Sequence, residues 1–287
     1  MIQYNENMKY EIFSETSHRL LFTLFDSSKE RKTDMYRVHH HPELELGYIC
    51  RGEGDYILEN ESYTAEPGCM FLIRANEQHC VPTIYTPTLD SFNIYITSYY
   101  IWNVCAEYIE PRRLSLLIGQ NGSIPHRFAG KHEVFEQIIE LAPHNELRFE
   151  LKRLLLRLIL DLTDRFEPTA DATSEHGVLL RMNEIQNAIL YINENLTESL
   201  TLDQIARQAN LSRSHLSTLF RQATGVTPYE YLILQRIEKS VELLRDSKLT
   251  ILGIAQECGF RNLANFNKTF KKVTGMTPSD YRTSKQK

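Results

Sequence analysis

The chain has 287 residues, of which 42% are hydrophobic and 24% are charged, and its formal net charge is −5. This length is sufficient for two domains with separate cores, and the composition excludes disordered and fibrous proteins. No segment approaches the length of a membrane span and the N-terminus lacks the features of a secretory signal, so we expect a cytoplasmic protein without membrane contact. Residues 180–287 carry 15 Lys and Arg against 10 Asp and Glu, a net charge of +5, which leaves −10 for residues 1–179. This division favours contact of only the C-terminal part with a polyanion.

Short β-prone runs separated by turn-forming clusters fill the chain from about residue 20 to residue 97. The turn clusters are rich in Gly, Pro, Asn and Ser, which favour tight changes of direction. Many short strands at close spacing predict a small antiparallel barrel or sandwich. The predicted strands are Leu20–Phe25, Met35–His41, Leu44–Cys50, Asp55–Leu58, Cys69–Ile73 and Ser91–Thr97.

Four side chains in this region have the chemistry of metal ligands. His39 and His41 alternate along one predicted strand, Glu45 lies on the next, and His79 follows later in the chain. The spacing of these residues resembles the first motif of the cupin family. The resemblance implies a cupin-like β-barrel over residues 1–100 that senses a small-molecule effector.

Two roles remain open for this constellation. Three imidazoles and a carboxylate suit a divalent transition metal as cofactor. The second cupin motif is degenerate, however, because Arg74, Asn76 and Thr83 stand where proline, glycine and asparagine are usual. The alternative is therefore a polar effector pocket without metal. The candidate effector-binding residues are His39, His41, Glu45, Tyr48, His79 and Tyr95.

After Ser98 the hydrophobic period becomes helical. Lys131–Leu141 and Glu146–Phe166 are predicted amphipathic helices, and the second carries leucines at spacings of three and four residues. This apolar stripe is wider than one small domain needs. It favours equally packing within the subunit and formation of a homodimer, so we treat residues 101–166 as a helical dimerisation or packing segment.

Residues 167–179 include the sequence EPTADATSEHG, which has no large apolar side chain and predicts an exposed linker. The remaining residues, 180–287, predict an all-α domain of seven helices. The whole chain is thus expected to be an α+β multidomain protein. The helices defined by their own start and stop signals run from about Thr201 to Ala209, Ser212 to Thr224, Thr227 to Asp246, Thr250 to Cys258, Asn262 to Val273, and onward from Thr277.

One short phrase is written twice in this C-terminal part. The sequence TGVTPYEY at Thr224–Tyr231 returns as TGMTPSDY at Thr274–Tyr281, a shift of 50 residues. Thr227-Pro228 places a capping residue before a proline at the first helical position, and Thr277-Pro278 repeats this arrangement. The repeat therefore indicates two versions of one small helical module, each phrase ending one helix and starting another.

Each module contains a helix, a tight turn and a second helix, the pattern of a helix-turn-helix. The second helix of each pair exposes side chains that can donate hydrogen bonds to phosphates and to base edges. The first offers Arg213, Ser214, Ser217, Thr218 and Arg221, and the second offers Asn262, Asn265, Lys268, Lys271 and Lys272. A solvated polar face would account for some of these positions equally well.

Across residues 184–282 the sequence resembles the AraC/XylS family of bacterial transcription regulators. The resemblance rests on LDQIARQANLSRSHLSTLFRQATGVTPYEYL and ILGIAQECGFRNLANFNKTFKKVTGMTPSDYR. It implies two helix-turn-helix motifs whose second helices enter successive major grooves of double-stranded DNA, roughly 34 Å apart. Ser214, Ser217, Thr218, Leu263, Ala264, Asn265 and Lys268 would then face bases, and Arg213, Arg221, Lys271 and Lys272 would face phosphates.

The sequence therefore predicts a DNA-binding transcription regulator, an activator by preference, and not an enzyme. A small effector, by family resemblance a carbohydrate, would bind the barrel and change how a homodimer presents its DNA-binding domains. RNA polymerase would be a further partner of an activator. The alternative is a metal-dependent cupin enzyme fused to a DNA-binding module, which His39, His41, Glu45 and His79 keep open.

Overall fold

A computed structural model describes residues 9–11, 20–26, 37–118, 124–142, 148–166 and 175–285. The contacts divide the chain into two compact units. The N-terminal unit contains the described residues up to 166, and the C-terminal unit contains residues 175–285. Most of the predicted linker, residues 167–174, lies outside the described residues, as does the start of the strand predicted at Met35–His41.

The described strands of the N-terminal unit form two antiparallel sheets. The larger has the order β1-β2-β8-β3-β6-β9, and the smaller has the order β5-β4-β7. The strands are β1 Lys9–Glu11, β2 Leu20–Asp26, β3 Leu44–Arg51, β4 Gly54–Leu58, β5 Glu61–Ala65, β6 Met70–Ile73, β7 His79–Ile84, β8 Asp90–Ile96 and β9 Arg127–Phe128.

A hydrophobic core joins the two sheets. Tyr56 of β4 stacks on Phe71 of β6, with ring centroids 4.1 Å apart, and the buried side chains of Leu58, Val81 and Ile73 belong to the same cluster. The predicted cupin-like fold, an antiparallel barrel or sandwich, is therefore confirmed, and the described strands form two packed sheets and not a closed barrel. The chain changes sheet between β3 and β4 instead of forming a hairpin, and β4 pairs with β5 and β7.

Gly52 makes this change of sheet feasible. Its φ is +86°, and a Cβ there would lie 2.0 Å from the carbonyl oxygen of Thr88. Only glycine combines this backbone conformation with so close an approach of the neighbouring loop. The tight turn after Arg51 therefore depends on glycine at position 52.

Four of the described strands escaped prediction, namely β1, β5, β7 and β9. The turn after β4 occupies only Glu59 and Asn60, and β5 begins at Glu61, within a sequence whose Asn and Ser favour a turn. In the strand predicted at Met35–His41, residues 37–41 form no extended strand, and His39 makes only an isolated bridge to His79.

Four helices complete the N-terminal unit: α1 Ser98–Cys105, α2 Pro111–Ile118, α3 Glu133–Leu141 and α4 Arg148–Asp164. The apolar stripe of α4 is buried against α1, α2 and α3, which shows that packing within the subunit accounts for it. Its buried members are Leu151, Leu154, Leu155, Leu158, Ile159 and Leu162. No dimer contact is needed to explain these six side chains.

Seven helices lie in the described part of the C-terminal unit, as predicted. The first, α5, begins at Glu175, so residues 175–179 of the predicted linker are helical. The helices are α5 Glu175–Glu194, α6 Leu202–Gln208, α7 Arg213–Thr224, α8 Pro228–Asp246, α9 Ile251–Glu257, α10 Leu263–Thr274 and α11 Pro278–Lys285. Among the described residues, no helix is both long enough and apolar enough to cross a membrane.

Candidate nucleic-acid interface and ligand site

The duplicated phrase forms the same junction in both modules. α7 ends at Gly225 with φ +78°, and α10 ends at Gly275 with φ +79°. Thr227 and Glu230 then form a complete capping box at the start of α8, in which each side chain bonds the other's backbone N–H. This confirms the prediction that each phrase stops one helix and starts another.

Each helix-turn-helix has its own apolar core. Ile205, Ala206, Leu216 and Phe220 are buried in the first, and the ring of Phe220 contacts that of Tyr231 at 5.6 Å. The second repeats this arrangement with Phe270 against Tyr281 at 5.8 Å. Its buried members are Ile254, Ala255, Cys258, Phe260, Phe266 and Phe270. Both modules therefore hold their second helix on a rigid base.

The turns of the two helix-turn-helix motifs differ in the residue that adopts the left-handed backbone conformation. Asn210 occupies the left-handed region in the first turn, with φ +53°, and Gly259 occupies it in the second, with φ +76°. A Cβ on Gly259 would lie 2.8 Å from the carbonyl oxygen of Leu196 and 2.9 Å from Cα of Thr197. The turn of the second motif is thus pressed directly against the α5–α6 loop.

Arg236 of α8 ties the same loop to the second motif. Its guanidinium donates hydrogen bonds of 2.7 Å to the carbonyl oxygens of Leu196 and Glu198 and lies 5.9 Å from the ring centre of Phe260. Burial lowers the pKa of Arg236, yet the two acceptors still stabilise its charge. Arg261 adds a 3.0 Å bond to Ser199 of this loop. Arg236 and Gly259 were not predicted as functional residues, and together they fix α10 relative to the first module.

On α7, four of the predicted DNA-facing residues are exposed. They are Arg213, Ser214, Thr218 and Arg221, whereas Ser217 is half-buried. The hydroxyls of Ser217 and Thr218 donate to the carbonyl oxygens of Arg213 and Ser214, at 2.9 and 3.2 Å. Each hydroxyl hydrogen is therefore used in a bond within the helix, and the hydroxyl oxygen can still accept a hydrogen bond. Arg213 also forms a 3.1 Å ion pair with Asp203.

Six of the seven residues predicted for the second recognition helix are exposed, namely Asn262, Ala264, Asn265, Lys268, Lys271 and Lys272. Asn262 and Leu263 also stabilise the helix itself. Asn262 is the N-cap, where its side-chain oxygen accepts a 2.8 Å bond from the N–H of Asn265. Leu263 is half-buried and packs on the core of the second motif.

In the N-terminal unit, three of the four predicted metal-type ligands converge. Oε2 of Glu45 lies 2.9 Å from Nε2 of His41 and 3.3 Å from Nε2 of His79. The ring of His39 lies beside that of His79, with centroids 4.2 Å apart, but His39 is outside the cluster of converging ligand atoms. The ring of Tyr95 contacts that of His41 edge-on at 5.1 Å. The structure thus brings five of the six candidate effector residues together.

The sixth, Tyr48, lies on the opposite face of β3. Its ring stacks on Phe135 of α3 at 5.1 Å, and its hydroxyl donates a 3.0 Å bond to Glu136. Residues separated by an odd number of positions along a strand face opposite sides, and Tyr48 is three residues from Glu45. Tyr48 therefore belongs to the contact between sheet and helices and not to the group around Glu45.

The electrostatics of this group centre on Glu45. Burial would raise the pKa of its carboxyl, but the interactions with His41 and His79 outweigh burial and lower the pKa to about 2. For His79, burial opposes the charged form, while Glu45 raises the pKa. The carboxylate is thus charged and held by the two imidazoles.

Two family models match the chain. Residues 28–160 match the model described as an AraC-like ligand binding domain, and residues 205–284 match a helix-turn-helix domain. The chain is 28% identical over 268 residues to the HTH-type transcriptional activator RhaR of Escherichia coli (strain K12), covering 87% of this chain and 88% of that protein. A RhaR from Shigella boydii serotype 4 shows the same identity and coverage. These matches indicate a transcription regulator rather than a cupin enzyme.

Solved structures were also found. The C-terminal domain of AraT, a response regulator from Geobacillus stearothermophilus, is 32% identical and covers 35% of this chain and 84% of that one, with a TM-score of 0.34. ToxT from Vibrio cholerae is 15% identical over 92% of this chain and 98% of that one, with a TM-score of 0.38. At these TM-scores the assignment depends on the family models and the RhaR relatives alone. The chain belongs to the AraC family of DNA-binding transcription regulators, with an N-terminal ligand-binding domain and a C-terminal helix-turn-helix domain.

Proposed function

We propose that this protein activates transcription by binding promoter DNA through both α7 and α10. The observation that carries the proposal is the pair of equivalent modules, each presenting one exposed polar helix on a buried apolar base. The relatives named as transcriptional activators support activation over repression. Transcription from a promoter containing the selected site tests the direction, because an activator raises transcript yield and a repressor lowers it.

The accessible side chains divide into two roles. Ser214, Thr218, Ala264, Asn265 and Lys268 are exposed on the two helices and would contact base edges. The cations Arg213, Arg221, Lys271 and Lys272 would contact phosphates, which position the protein without reading sequence. Ser217 is half-buried, Asn262 caps α10 and Leu263 packs on the core of the second motif, so we assign these three to support of the helices.

The fixed contact between the modules is central to this proposal. Two helices read successive major grooves only if their separation and orientation match the duplex. The bonds of Arg236 and the glycine at position 259 remove freedom between the modules without any contact to DNA. Their contribution to affinity is therefore preorganisation of α7 and α10.

The effector is proposed to bind beside His39, His41, Glu45, His79 and Tyr95. This group offers imidazoles, a charged carboxylate and an aromatic ring, which suit a polar hydroxylated molecule, and a carbohydrate is the proposed class. Thermal-shift screening of the full chain against a sugar panel tests this. A sugar that stabilises the wild type but not a Tyr95→Ala variant supports the site, and equal stabilisation of both places the sugar elsewhere.

We also propose a homodimer in the bacterial cytoplasm that contacts RNA polymerase as an activator. The dimer proposal rests on Leu156 and Leu160, which lie four residues apart on α4 and remain half-buried. Sedimentation of the wild type and of a Leu156→Glu, Leu160→Glu variant tests it. Dissociation of a wild-type dimer by the variant supports this face, and a monomeric wild type removes the proposal.

A further inference from the structure

We propose that Tyr229 makes a third contact with DNA, to the phosphate backbone between the two major grooves that α7 and α10 occupy. This inference rests on the proposed reading of DNA by both helices. Tyr229 is the second residue of α8, the helix that joins the two modules, and it is 64% exposed. Its neighbours Pro228 and Tyr231 are buried, so the apolar core of the first module does not account for the exposed ring.

The second copy of the repeated phrase shows that the start of the helix does not require a tyrosine here. Ser279 occupies the equivalent position in TGMTPSDY. The caps of the two copies are nevertheless alike, since the hydroxyls of Thr227 and Thr277 each accept a 3.2 Å hydrogen bond from a backbone N–H three residues later. The copy that begins the helix between the modules is the one that carries the aromatic ring, which favours a role tied to that location.

Tyr229 lies between residues of the two helices that are assigned to DNA. One groove runs between α8 and α10, and Tyr229 lines it together with Asn265 and Lys272 of α10. Tyr229 also lines a second groove, whose wall includes Ser217 of α7 and Leu202 of α6. The exposed ring therefore continues the proposed DNA-binding surface from one module to the other.

The chemistry of tyrosine suits the part of the duplex that this position would face. When two helices occupy successive major grooves on one face, the stretch between them presents the minor groove and the backbones that flank it. Phosphate oxygens accept hydrogen bonds, and a tyrosine hydroxyl can donate one. The side chain has only two rotatable torsions before its hydroxyl, so ordering it against the backbone costs little conformational entropy.

The charges beside Tyr229 are compatible with a phosphate. Glu230 lines the groove towards α10, but its Oε2 accepts bonds of 2.9 Å from both the N–H and the hydroxyl of Thr227, which hold the carboxylate at the helix start. Lys272 lines the same groove and supplies a positive charge. The tyrosine hydroxyl itself would add an uncharged donor, which releases no counterion from DNA.

Phosphate-ethylation interference with the full chain tests the contact, on a duplex that carries the site selected from random sequence. We expect ethylation of a phosphate midway between the two conserved blocks to weaken binding of the wild type but not of Tyr229→Phe, with interference elsewhere unchanged. Tyr229→Phe should also lower affinity roughly 10-fold on specific and random duplexes alike, as expected for a weak hydrogen bond to a charged group. Its salt dependence should equal that of the wild type, whereas Lys272→Ala should reduce the slope by about 1.

Tyr108→Phe is the matched control, because Tyr108 is also 64% exposed but lies in the N-terminal unit. Unchanged affinity and unchanged interference in Tyr229→Phe overturn the contact. A loss confined to the specific site also overturns it, because Tyr229 would then read a base, and so does an equal loss in Tyr108→Phe. A wild type that selects a single block refutes the reading of DNA by both helices and this contact with it. Two blocks at fixed spacing with no effect of Tyr229→Phe refute this contact alone.

Discussion

Replacement of Arg236 by Met should destabilise the C-terminal unit while leaving the N-terminal unit unchanged. Arg236 is 9% exposed and donates hydrogen bonds to the carbonyl oxygens of Leu196 and Glu198. Met would fill the same space but would leave these two carbonyl oxygens without their hydrogen-bond donor. Hydrogen bonds to a charged group contribute about 1.5–3 kcal/mol each, and because they share one side chain we expect a total loss of about 3–5 kcal/mol. That is a large fraction of the roughly 5–15 kcal/mol that stabilises a typical domain.

Urea denaturation of the full chain followed by two signals separates the units. The single tryptophan, Trp102, is buried in α1 and reports on the N-terminal unit by fluorescence. Circular dichroism reports on helices throughout, including the seven of the C-terminal unit. We expect Arg236→Met to lower the midpoint of a circular dichroism transition without moving the fluorescence transition.

Arg245→Met is the control for this experiment. Arg245 lies on the same helix, but it is exposed and its ion pair is with the adjacent Asp246, so its replacement should change stability by less than about 0.5 kcal/mol. If Arg236→Met and Arg245→Met behave alike, or if Arg236→Met moves both transitions equally, the guanidinium does not hold the modules together.

Three further predictions concern the C-terminal unit. Gly259→Ala should lower the free energy of unfolding by about 2–4 kcal/mol, because its Cβ would meet three backbone atoms at 2.8 to 2.9 Å. Gly275→Ala should lower it by only about 1 kcal/mol, because open space surrounds this glycine at a similar φ. Denaturation midpoints compare the two variants, and similar losses would refute the steric argument. Lys268→Ala should cost about 1–3 kcal/mol on the specific site and relax one base position, whereas Lys272→Ala should weaken all sequences alike. Competition binding separates these outcomes, and a uniform loss for Lys268 assigns it to phosphate. Affinity should also fall steeply with salt in gel-shift titrations, as release of counterions requires, and a flat salt dependence would exclude a binding mode that depends on phosphate contacts.

The helix-turn-helix modules were predictable because each local signal agrees with the fold. Thr227, Pro228 and Glu230 define a helix start by chemistry that acts within three residues, and Gly225 ends the preceding helix by a backbone preference. The apolar positions also recur with the helical period. Such information is contained in short stretches of sequence, so no knowledge of distant contacts was needed.

The contacts between modules were not predictable, because they join residues far apart in the chain. Arg236 bonds Leu196 across 40 positions, and the constraint at Gly259 comes from the same distant loop. An arginine within an apolar helix face was the available signal, but it does not identify the partner.

In the N-terminal unit, some features were predictable from the sequence and others were not. The histidines and Glu45 were grouped correctly from their spacing, whereas Tyr48 could have been excluded because its odd separation from Glu45 sets it on the other face. β7 was missed because its sequence HCVPTI contains Pro82 and buries three consecutive residues, which breaks the alternation expected of a strand. α1 was not predicted as a separate helix because five of its eight side chains are buried, so a polar face does not mark its bounds.

The central claim is that α7 and α10 read DNA together as a fixed pair. Selection of binding sites from random duplex DNA by the full chain, followed by sequencing, tests this most directly. The account predicts two conserved blocks about 10 base pairs apart centre to centre, with Lys268→Ala relaxing a position in only one of them. A single conserved block, two blocks at variable spacing, or enrichment without any conserved sequence would contradict it.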